Sequence, residues 1–238
     1  MAIYIYGVID SNGRPDDPMI GLEGALVCNL PYRDLGVVTS DLDARIPHIT
    51  KEHVLGHERV VERLMVNFTV LPFRFPTIFD KKEDVLAMMN DHYDDFRDNL
   101  GRLRGKAEFG IKVIWPGDKI RTRMAPGENS APMPAPASPA RSFLKKKFEE
   151  HQIEKKIEDE ADKHIALVDG FFNKFAAEKK LEKLKTENLL LNALYLVEKE
   201  KQGDFRQAFE QLRSSPGELK YLFSGPWPPY NFIKMIRP

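Results

Sequence analysis

The chain has 238 residues, of which 42% are hydrophobic and 30% are charged, and its 36 basic side chains balance its 36 acidic ones. A formal net charge of zero gives no long-range field to attract nucleic acid or a lipid membrane, so neither is an expected partner. The single cysteine has no partner for an internal disulfide, no signal-peptide pattern opens the chain, and no apolar run reaches the roughly 18 residues of a membrane helix. We therefore expect a globular, cytoplasmic protein of one large or two small domains.

The first elements are predicted to be three strands. Residues 2–9, AIYIYGVI, are β-branched and aromatic, which is typical of a central strand covered on both faces. LEGALVCNL and DLGVVTS follow as shorter strands, and the intervening PYR suits a tight hairpin. Cys28 lies within this apolar stretch, so we expect a small buried hydrophobe there rather than a nucleophile.

From Thr50 the pattern becomes helical. Thr50 is a suitable N-cap, and a buried stripe is predicted at positions three, four and seven residues apart, formed by Val54, Val61, Leu64 and Met65. A capping box at Asp80 and Glu83 predicts the start of a second helix. Its apolar side chains are Val85, Leu86, Met89, Phe96 and Leu100.

Between the two helices, residues 68–79 read FTVLPFRFPTIF and contain two prolines. Proline cannot donate a ladder hydrogen bond, so this segment is predicted to be an edge strand or a bulged loop. Arg74 either points outward or stacks between Phe73 and Phe75 in a crevice. With a further strand at residues 107–115, the order of elements predicts an α+β domain with helices on one side of a mixed sheet.

A linker and a second α+β domain are predicted next. Residues 126–140 have the proline, alanine and serine content of an extended linker. A long charged helix follows, and because a straight rod over 141–183 would exceed ~60 Å, we expect an interruption near Gly170. ENLLLNALYLVEKEK fits a buried helix or a covered strand, with the strand preferred. A helix from Gly203 and a strand at ELKYLFSG complete this half.

The chain ends on a proline and aromatic tail, SGPWPPYNF. Its prolines exclude a helix interior, whereas Trp227, Tyr230 and Phe232 provide apolar area that needs a surface to cover it. The tail is predicted to dock, either on the body of the protein or on a partner. The predicted limits are thus 1–125 and 141–224 for the two domains, 126–140 for the linker and 225–238 for the tail.

The search for catalytic or ligand-binding motifs finds little. His53 and His57 are four residues apart on a helix, the spacing of two zinc ligands, but no third ligand accompanies them and two exposed histidines on a polar face are expected. Phosphate-binding and nucleophile-elbow motifs are absent from the sequence. FLKKKFEEHQIEKKIEDE balances acids against bases, which favours salt-linked pairs on an exposed helix over nucleic-acid contact. No catalytic, cofactor or metal residue is assigned, and no small-molecule substrate is expected.

Four segments in order resemble the gas vesicle protein family GvpF/GvpL: YIYGVI, GHERVVERLMVNFTVLPFRFPTIF, LLLNALYLVEKE and GPWPPYNF. The resemblance implies a non-enzymatic accessory protein for gas vesicle assembly, located in the cytoplasm and at gas vesicles. It also implies a C-terminal domain of modified ferredoxin-like type and a tail that returns to the N-terminal domain. The implied partners are the hydrophobic shell protein and other accessory proteins.

Three functions remain open from the sequence. The first is an assembly factor that binds the shell protein and prevents its aggregation or assists nucleation, with partner or interdomain contacts at Phe73, Arg74, Phe75, Trp227, Tyr230 and Phe232. The second is a minor structural component retained on the vesicle wall. The third is a metal-dependent enzyme that uses His53 and His57.

Overall fold

The computed structural model describes residues 2–13, 18–43, 49–117, 122, 139–183 and 189–234. The chain divides into two compact units, each assembled from separate stretches. The first contains Met1–Phe109, Leu196–Lys199 and Gly225–Pro238, and the second contains Gly110–Tyr195 and Glu200–Ser224. Two sheets and several helices make the protein α+β, as predicted.

The first sheet has the spatial order β2-β3-β1-β4, with β5 also paired to β1. Each of these pairings is antiparallel, so the predicted mixed sheet is wrong for the described residues. The strand predicted at residues 107–115 is present but lies in the second sheet, so it takes no part in the pairings of the first. The strands are β1 (Ala2–Ile9), β2 (Val27–Tyr32), β3 (Leu35–Leu42), β4 (Val70–Pro72) and β5 (Ile78–Phe79).

β1 is the central strand of this sheet, as predicted, and nearly all of its side chains are buried. Its register with β3 shifts between Ile5 and Gly7, where β4 also approaches. A Cβ at Gly7 would lie 2.5 Å from the carbonyl oxygen of Leu71, so only glycine permits this close approach. The proline-containing segment 68–79 supplies β4, which lies at the end of the strand order, as predicted for an edge strand.

β2 and β3 form the predicted hairpin, but Cys28 is exposed rather than buried. Val27 is buried in the core, and successive side chains of a strand point to opposite faces. The apolar run around Cys28 therefore belongs to an edge strand with one solvated face, whereas the prediction placed this side chain in the interior.

Three helices accompany the first sheet: α1 (Lys51–Leu64), α2 (Lys82–Asp91) and α3 (Tyr93–Leu103). The Thr50 hydroxyl accepts a hydrogen bond from the His53 amide at 3.3 Å, which confirms the predicted N-cap. Of the predicted α1 stripe, Val61 and Leu64 are buried, whereas Val54 is 37% exposed.

The second predicted helix differs from the structure in two ways. It begins at Lys82, so its N-cap is Lys81, which makes no side-chain capping bond, and the capping box at Asp80 and Glu83 is wrong. The predicted single helix is also two helices. His92, with φ −117° and ψ 13°, leaves helical geometry between α2 and α3 without disturbing the apolar spacing on which the prediction was based.

The second sheet has the order β7-β8-β6-β9. Its strands are β6 (Lys106–Ile114), β7 (Ala176–Lys183), β8 (Leu189–Glu198) and β9 (Lys220–Trp227). The ambiguous apolar run is thus a strand, β8, and most of its side chains are buried because it lies inside the sheet. β9 lies at the end of the order, where Pro226 is compatible with a strand.

The second unit contains a helix of 34 residues, α4 (Pro139–Phe172), and a shorter helix, α5 (Gln202–Arg213). α4 continues through Gly170, and the expected interruption comes after Phe172, where a 3-10 turn at Asn173–Phe175 leads into β7. A mid-helix glycine costs only about 1 kcal/mol, which buried neighbours offset. The apolar side chains of this helix step along the sequence by three to five residues, which predicts a buried stripe, but this prediction is wrong at the start of α4, since Leu144 and Phe148 are 65% and 62% exposed.

The aromatic side chains of α4, α5 and the second sheet form a cluster in the core of the second unit. The ring of Phe205 lies 4.9 Å from that of Phe172 and 5.5 Å from that of Tyr195, and the rings of Phe209 and Phe223 are 4.7 Å apart. The ferredoxin-like topology and the predicted domain limits remain predictions. Residues 126–138 of the predicted linker lie outside the described residues, and Pro139 and Ala140 begin α4.

Candidate functional site

The C-terminal segment contacts the first unit. After β9 the chain forms a short 3-10 turn at Tyr230–Phe232, which is closed by amide donation from Phe232 to the carbonyl of Pro229 at 3.0 Å; the Tyr230 amide also donates to the carbonyl of Pro228 at 2.8 Å. Pro228, Pro229 and Phe232 are buried, and Phe232 is only 3% exposed. These residues therefore belong to the core of the first unit.

A chain of hydrogen bonds joins the tail to α1 and β1. The Tyr230 hydroxyl lies 3.0 Å from Glu58 Oε1 and 3.2 Å from His57 Nε2, and the Tyr4 hydroxyl lies 2.8 Å from His57 Nδ1. Because a carboxylate only accepts, Tyr230 donates to Glu58, and its oxygen accepts the proton of His57 Nε2. Nδ1 of His57 is then the acceptor for Tyr4. Each hydroxyl and each ring nitrogen in this chain has a partner.

Burial and neighbouring groups determine the protonation states of the side chains in this series of hydrogen bonds. Burial lowers the pKa of His57 to about 4, although a hydrogen bond with the backbone of Phe73 acts in the opposite direction. Burial also raises the pKa of Tyr4, and burial together with the nearby Glu58 carboxylate raises that of Tyr230. The pKa of Glu58 is raised by desolvation and lowered in part by the Tyr230 hydrogen bond. His57 is therefore neutral and both tyrosines are protonated at neutral pH.

Glu108 of β6 provides a second anchor for the tail. It is 4% exposed and accepts two hydrogen bonds from Asn231, one from the backbone amide at 2.9 Å and one from the side-chain amide at 2.6 Å. A buried carboxylate that accepts several donors is stabilised in its charged form. Gly225 lies over the same strand at φ 109°, and a Cβ there would be 2.7 Å from the Glu108 carbonyl oxygen, so glycine is required.

Helix α3 provides the third anchor. Arg102 donates a hydrogen bond from its guanidinium to the carbonyl of Phe232, and the Lys234 amide donates to Asn99 Oδ1 at 2.9 Å. Arg102 also donates to Asn99 at 3.1 Å, so the two α3 side chains support each other. Backbone groups of the tail thus replace water as hydrogen-bond partners of α3.

The structure separates the predicted contact residues into internal and exposed ones. The ring of Phe75 lies 6.1 Å from that of Tyr4 and 5.9 Å from that of His57, while Phe73 packs against Phe96 at 6.2 Å. Phe75 and Tyr230 therefore meet at the same histidine. The predicted residues that face solvent are Arg74 and Trp227, the latter 41% exposed.

The predicted pair of histidines does not form a joint site. His53 contacts Glu23 through Nε2, and its Nδ1 accepts from the Thr50 amide at 3.3 Å. His57 is fully buried, so the expected exposed position is wrong, because α1 turns this side chain toward Tyr4 and Tyr6. Among the residues that the structure describes, no group of three or more candidate side chains could hold a metal ion.

Sequence reasoning missed most of the anchors. Tyr4, His57, Glu108, Asn99 and Arg102 were not assigned to the tail, because their partners are far away in the chain: His57 and Tyr230 are 173 residues apart. The one available signal was an acidic residue, Glu108, inside an apolar strand, which requires hydrogen-bond donors. Chemically, the arrangement is a set of satisfied hydrogen bonds that holds a segment in place.

Comparison with known proteins first identifies the class. The fold matches that of crystallised gas vesicle proteins: GvpF from Anabaena sp. PCC7120 has a TM-score of 0.86 at 20% identity, covering 98% of both chains. GvpF from Microcystis aeruginosa has a TM-score of 0.83 at 20% identity, covering 98% of this chain and 99% of that one.

The sequence then identifies the family. The model of the family described as gas vesicle synthesis protein GvpL/GvpF matches residues 2–234, and the chain belongs to this family. Gas vesicle protein F1 of Halobacterium salinarum is 26% identical over 235 residues, covering 97% of this chain and 92% of the relative. Gas vesicle protein F of Dolichospermum flosaquae is 22% identical, covering 98% of both. The chain is thus a gas vesicle protein involved in vesicle formation, and this family is not a known enzyme family.

Proposed function

We propose that this protein is an accessory factor that binds the hydrophobic shell protein of the gas vesicle in the cytoplasm and keeps it from aggregating before it enters the wall. The observation that carries the proposal is the family match across residues 2–234. Non-catalytic binding requires only a complementary surface. The free energy of an apolar subunit in water falls when a partner covers its apolar area.

We propose two contact regions for the shell protein. One is the edge of the first sheet at β4 and the following segment, where Arg74 is exposed. The other is Trp227 at the end of β9, which is 41% exposed and lies beside the buried prolines of the tail. A sheet edge can accept an extended strand, and an exposed tryptophan supplies a large apolar contact. Other accessory proteins of the vesicle are further candidate partners for the same regions.

The test is co-expression with the shell protein in a host that makes no other vesicle protein. We expect the shell protein to remain in the supernatant after centrifugation and to co-purify with the accessory protein. Trp227→Ala is expected to reduce the recovered shell protein at least threefold. Val66→Ala serves as a matched control, because Val66 is a 75% exposed apolar side chain in another part of the first unit. If neither solubility nor co-purification is observed, the proposal is wrong.

A second candidate is a minor component retained on the vesicle wall, which the same family membership supports. Vesicles washed with concentrated salt and then urea distinguish the two functions. A transient factor is lost in these washes, whereas a wall component stays in a fixed ratio to the shell protein.

The third candidate, a metal-dependent enzyme that uses His53 and His57, has little support in the geometry. Both ring nitrogens of His57 have hydrogen-bond partners, so binding a metal would break the contact with either Tyr4 or Tyr230. Elemental analysis of the purified protein is the test. Stoichiometric metal that disappears in the double variant His53→Ala, His57→Ala would support this candidate.

We also propose that the second unit is a modified ferredoxin-like domain that follows a linker. Limited proteolysis tests the linker. Early cleavage confined to residues 126–138 would support it, and early cleavage elsewhere would contradict it.

A further inference from the structure

The histidine at the centre of the tail contacts cannot take up a second proton without breaking a hydrogen bond. His57 is completely buried, its Nδ1 accepts the hydroxyl proton of Tyr4 at 2.8 Å, and its Nε2 donates to the Tyr230 oxygen at 3.2 Å. A proton added to Nδ1 places two donors face to face. Within the part of the chain that the structure describes, the Tyr4 hydroxyl bonds only to His57. The charged form therefore leaves a buried donor without an acceptor, which costs free energy.

The groups around His57 do not neutralise a charged imidazole directly. The rings of Tyr4, Tyr6 and Phe75 lie 5.8 Å, 5.6 Å and 5.9 Å from it. The titratable groups that face the ring or lie next to its contacts are Tyr4 and Tyr6 of β1, Tyr230 of the tail, and Glu58 and Glu62 of α1. The Glu58 carboxylate accepts from Tyr230 at 3.0 Å, so the tyrosine hydroxyl separates it from the imidazole.

Of the elements that contact His57, the tail can leave without opening the sheet. Tyr4 pairs with Ser40 of β3 on one side and with Ile78 of β5 on the other, so the ladder of the first sheet holds it in place. Tyr230 belongs to a short segment near the end of the chain, held by side chains of α1, β6 and α3. Withdrawal of Tyr230 frees Nε2 of His57 for hydration.

We propose that acid releases the tail: a proton taken up by His57 displaces residues 228–234 while the strands and helices of the first unit stay folded. The released state exposes Phe232, which is 3% exposed in the docked state, together with the surface that it covers. The docked tail is thus a pH-dependent contact. The inference does not depend on the proposed binding of the shell protein, because all of its contacts lie within the first unit.

The direction of the effect follows from proton linkage. Burial lowers the pKa of His57 to about 4 in the docked state, and hydration in the released state returns this pKa toward 6.5. The released state therefore binds the proton more tightly, and the equilibrium constant for release rises as the pH falls below 6.5, approaching an increase of about 300-fold below pH 4. Glu58 acts in the opposite direction, because burial raises its pKa in the docked state, and it reduces the net change.

Hydrogen exchange on the full chain tests the release. The Asn231 amide donates to Glu108 at 2.9 Å and the Phe232 amide donates to the carbonyl of Pro229 at 3.0 Å, so opening of the tail exposes both amides to exchange. We expect their protection factors, corrected for the intrinsic pH dependence of exchange, to fall at least tenfold between pH 7 and pH 4.5.

The Val27 amide reports on unfolding of the whole first unit, since it donates to the carbonyl of Met19 at 2.8 Å and its side chain is buried. At both pH values the protection factors of the Asn231 and Phe232 amides should be at least tenfold lower than that of Val27. This difference shows that the tail opens while the rest of the unit stays folded.

Substitution of the histidine assigns the proton. His57→Gln does not titrate, so the fall in protection between the two pH values should be less than threefold. His151→Gln, at an exposed position, is the matched control and should follow the wild type. This pair also separates release through His57 from any effect of acid on the Glu108 anchor. Glu58→Gln keeps an oxygen that accepts from Tyr230 but removes the opposing titration, so its fall should exceed that of the wild type.

Three results would overturn the proposal. The first is unchanged protection of the Asn231 and Phe232 amides between pH 7 and pH 4.5, and the second is a protection factor equal to that of Val27. The third is an equal fall in the wild type and in His57→Gln. If circular dichroism shows that His57→Gln is unfolded, the Glu58→Gln variant decides, and a fall no larger than that of the wild type contradicts the proposal.

Discussion

Glu108 shows at the level of a single residue how the tail is held. The carboxylate is almost completely buried, and Asn231 donates to both of its oxygens. A charge in such a position destabilises the fold unless donors surround it, and the donors come from the end of the chain. The sequence shows that an acidic residue lies within an apolar strand, but it does not show that Asn231 is the residue that donates to its carboxylate.

Glu108→Gln is expected to destabilise the protein. Glutamine presents one acceptor and one donor group, so one of the two Asn231 hydrogen bonds is lost and a buried donor faces another donor. We expect the free energy of unfolding to fall by about 1–3 kcal/mol in urea titrations. Glu200→Gln, at an exposed position, is the control and should be close to neutral. An unchanged midpoint for Glu108→Gln would show that the Asn231 contact contributes little.

His57 makes stability depend on pH. Its pKa is lowered to about 4 in the folded state from 6.5, so below pH 6.5 the unfolded chain binds a proton that the folded chain does not. The free energy of unfolding is therefore expected to fall by up to about 3 kcal/mol as the pH decreases from 6.5 to 4. The raised pKa of Glu58 acts with the opposite sign, because the folded state there holds a proton more tightly.

The difference between wild type and His57→Gln isolates this contribution. Urea titrations at pH 7 and pH 4.5 should show a smaller loss of stability in the variant than in the wild type. Exposed His151 replaced by glutamine serves as the control and should follow the wild type. An equal loss in wild type and His57→Gln would contradict the assignment of His57 as a buried neutral base.

At the scale of elements, sequence patterns predicted those helices, strands and caps that are determined by interactions between residues close together in the chain. The N-cap of α1 and the helix α5 followed from spacing and residue type, whereas the strand β8 was the preferred one of two interpretations and the edge position of β4 was one of two. Errors occurred where neighbours distant in sequence decide the outcome. Cys28 was expected to be buried because its apolar neighbours did not reveal that one face of β2 is solvated.

Thr50→Ala tests the cap of α1. The hydroxyl satisfies the amide of His53, one of the donors that a helix start leaves without a partner, so its loss is expected to cost about 1 kcal/mol. Thr50→Ser keeps a hydroxyl and should retain most of the stability. Equal stabilities of the alanine and serine variants in thermal denaturation would show that another group replaces the cap.

At the scale of the whole molecule, the sequence predicted the α+β class and the family, but it did not predict which stretches of the chain make up each unit. The first unit takes its residues from both ends of the chain and from a short stretch in β8. Linear patterns predict elements in order but give no direct measure of which distant stretches join. Within the described residues, no helix combines the length and the hydropathy that a bilayer-spanning segment needs.

Deleting residues 230–238 should destabilise the first unit. The deletion removes Phe232 from the core together with the hydrogen bonds to Glu58, Glu108 and Arg102. Loss of a buried phenylalanine alone costs about 3–5 kcal/mol, so we expect a reduction of at least about 3 kcal/mol. Deletion of residues 235–238 is the control and should change stability by less than about 0.5 kcal/mol. Equal melting temperatures for the two truncations would show that the tail contributes nothing.

The distance in sequence between His57 and Tyr230 has a consequence for biosynthesis. A ribosome that has translated Phe109 must still add about 130 residues, which takes roughly 6–26 s at about 5–20 residues per second. During that interval β1, α1 and α3 have been synthesised, but the tail that packs against them and forms hydrogen bonds with them has not. The first unit can therefore complete its core only after the tail has been synthesised, so we expect its folding to finish later than the synthesis of its strands and helices.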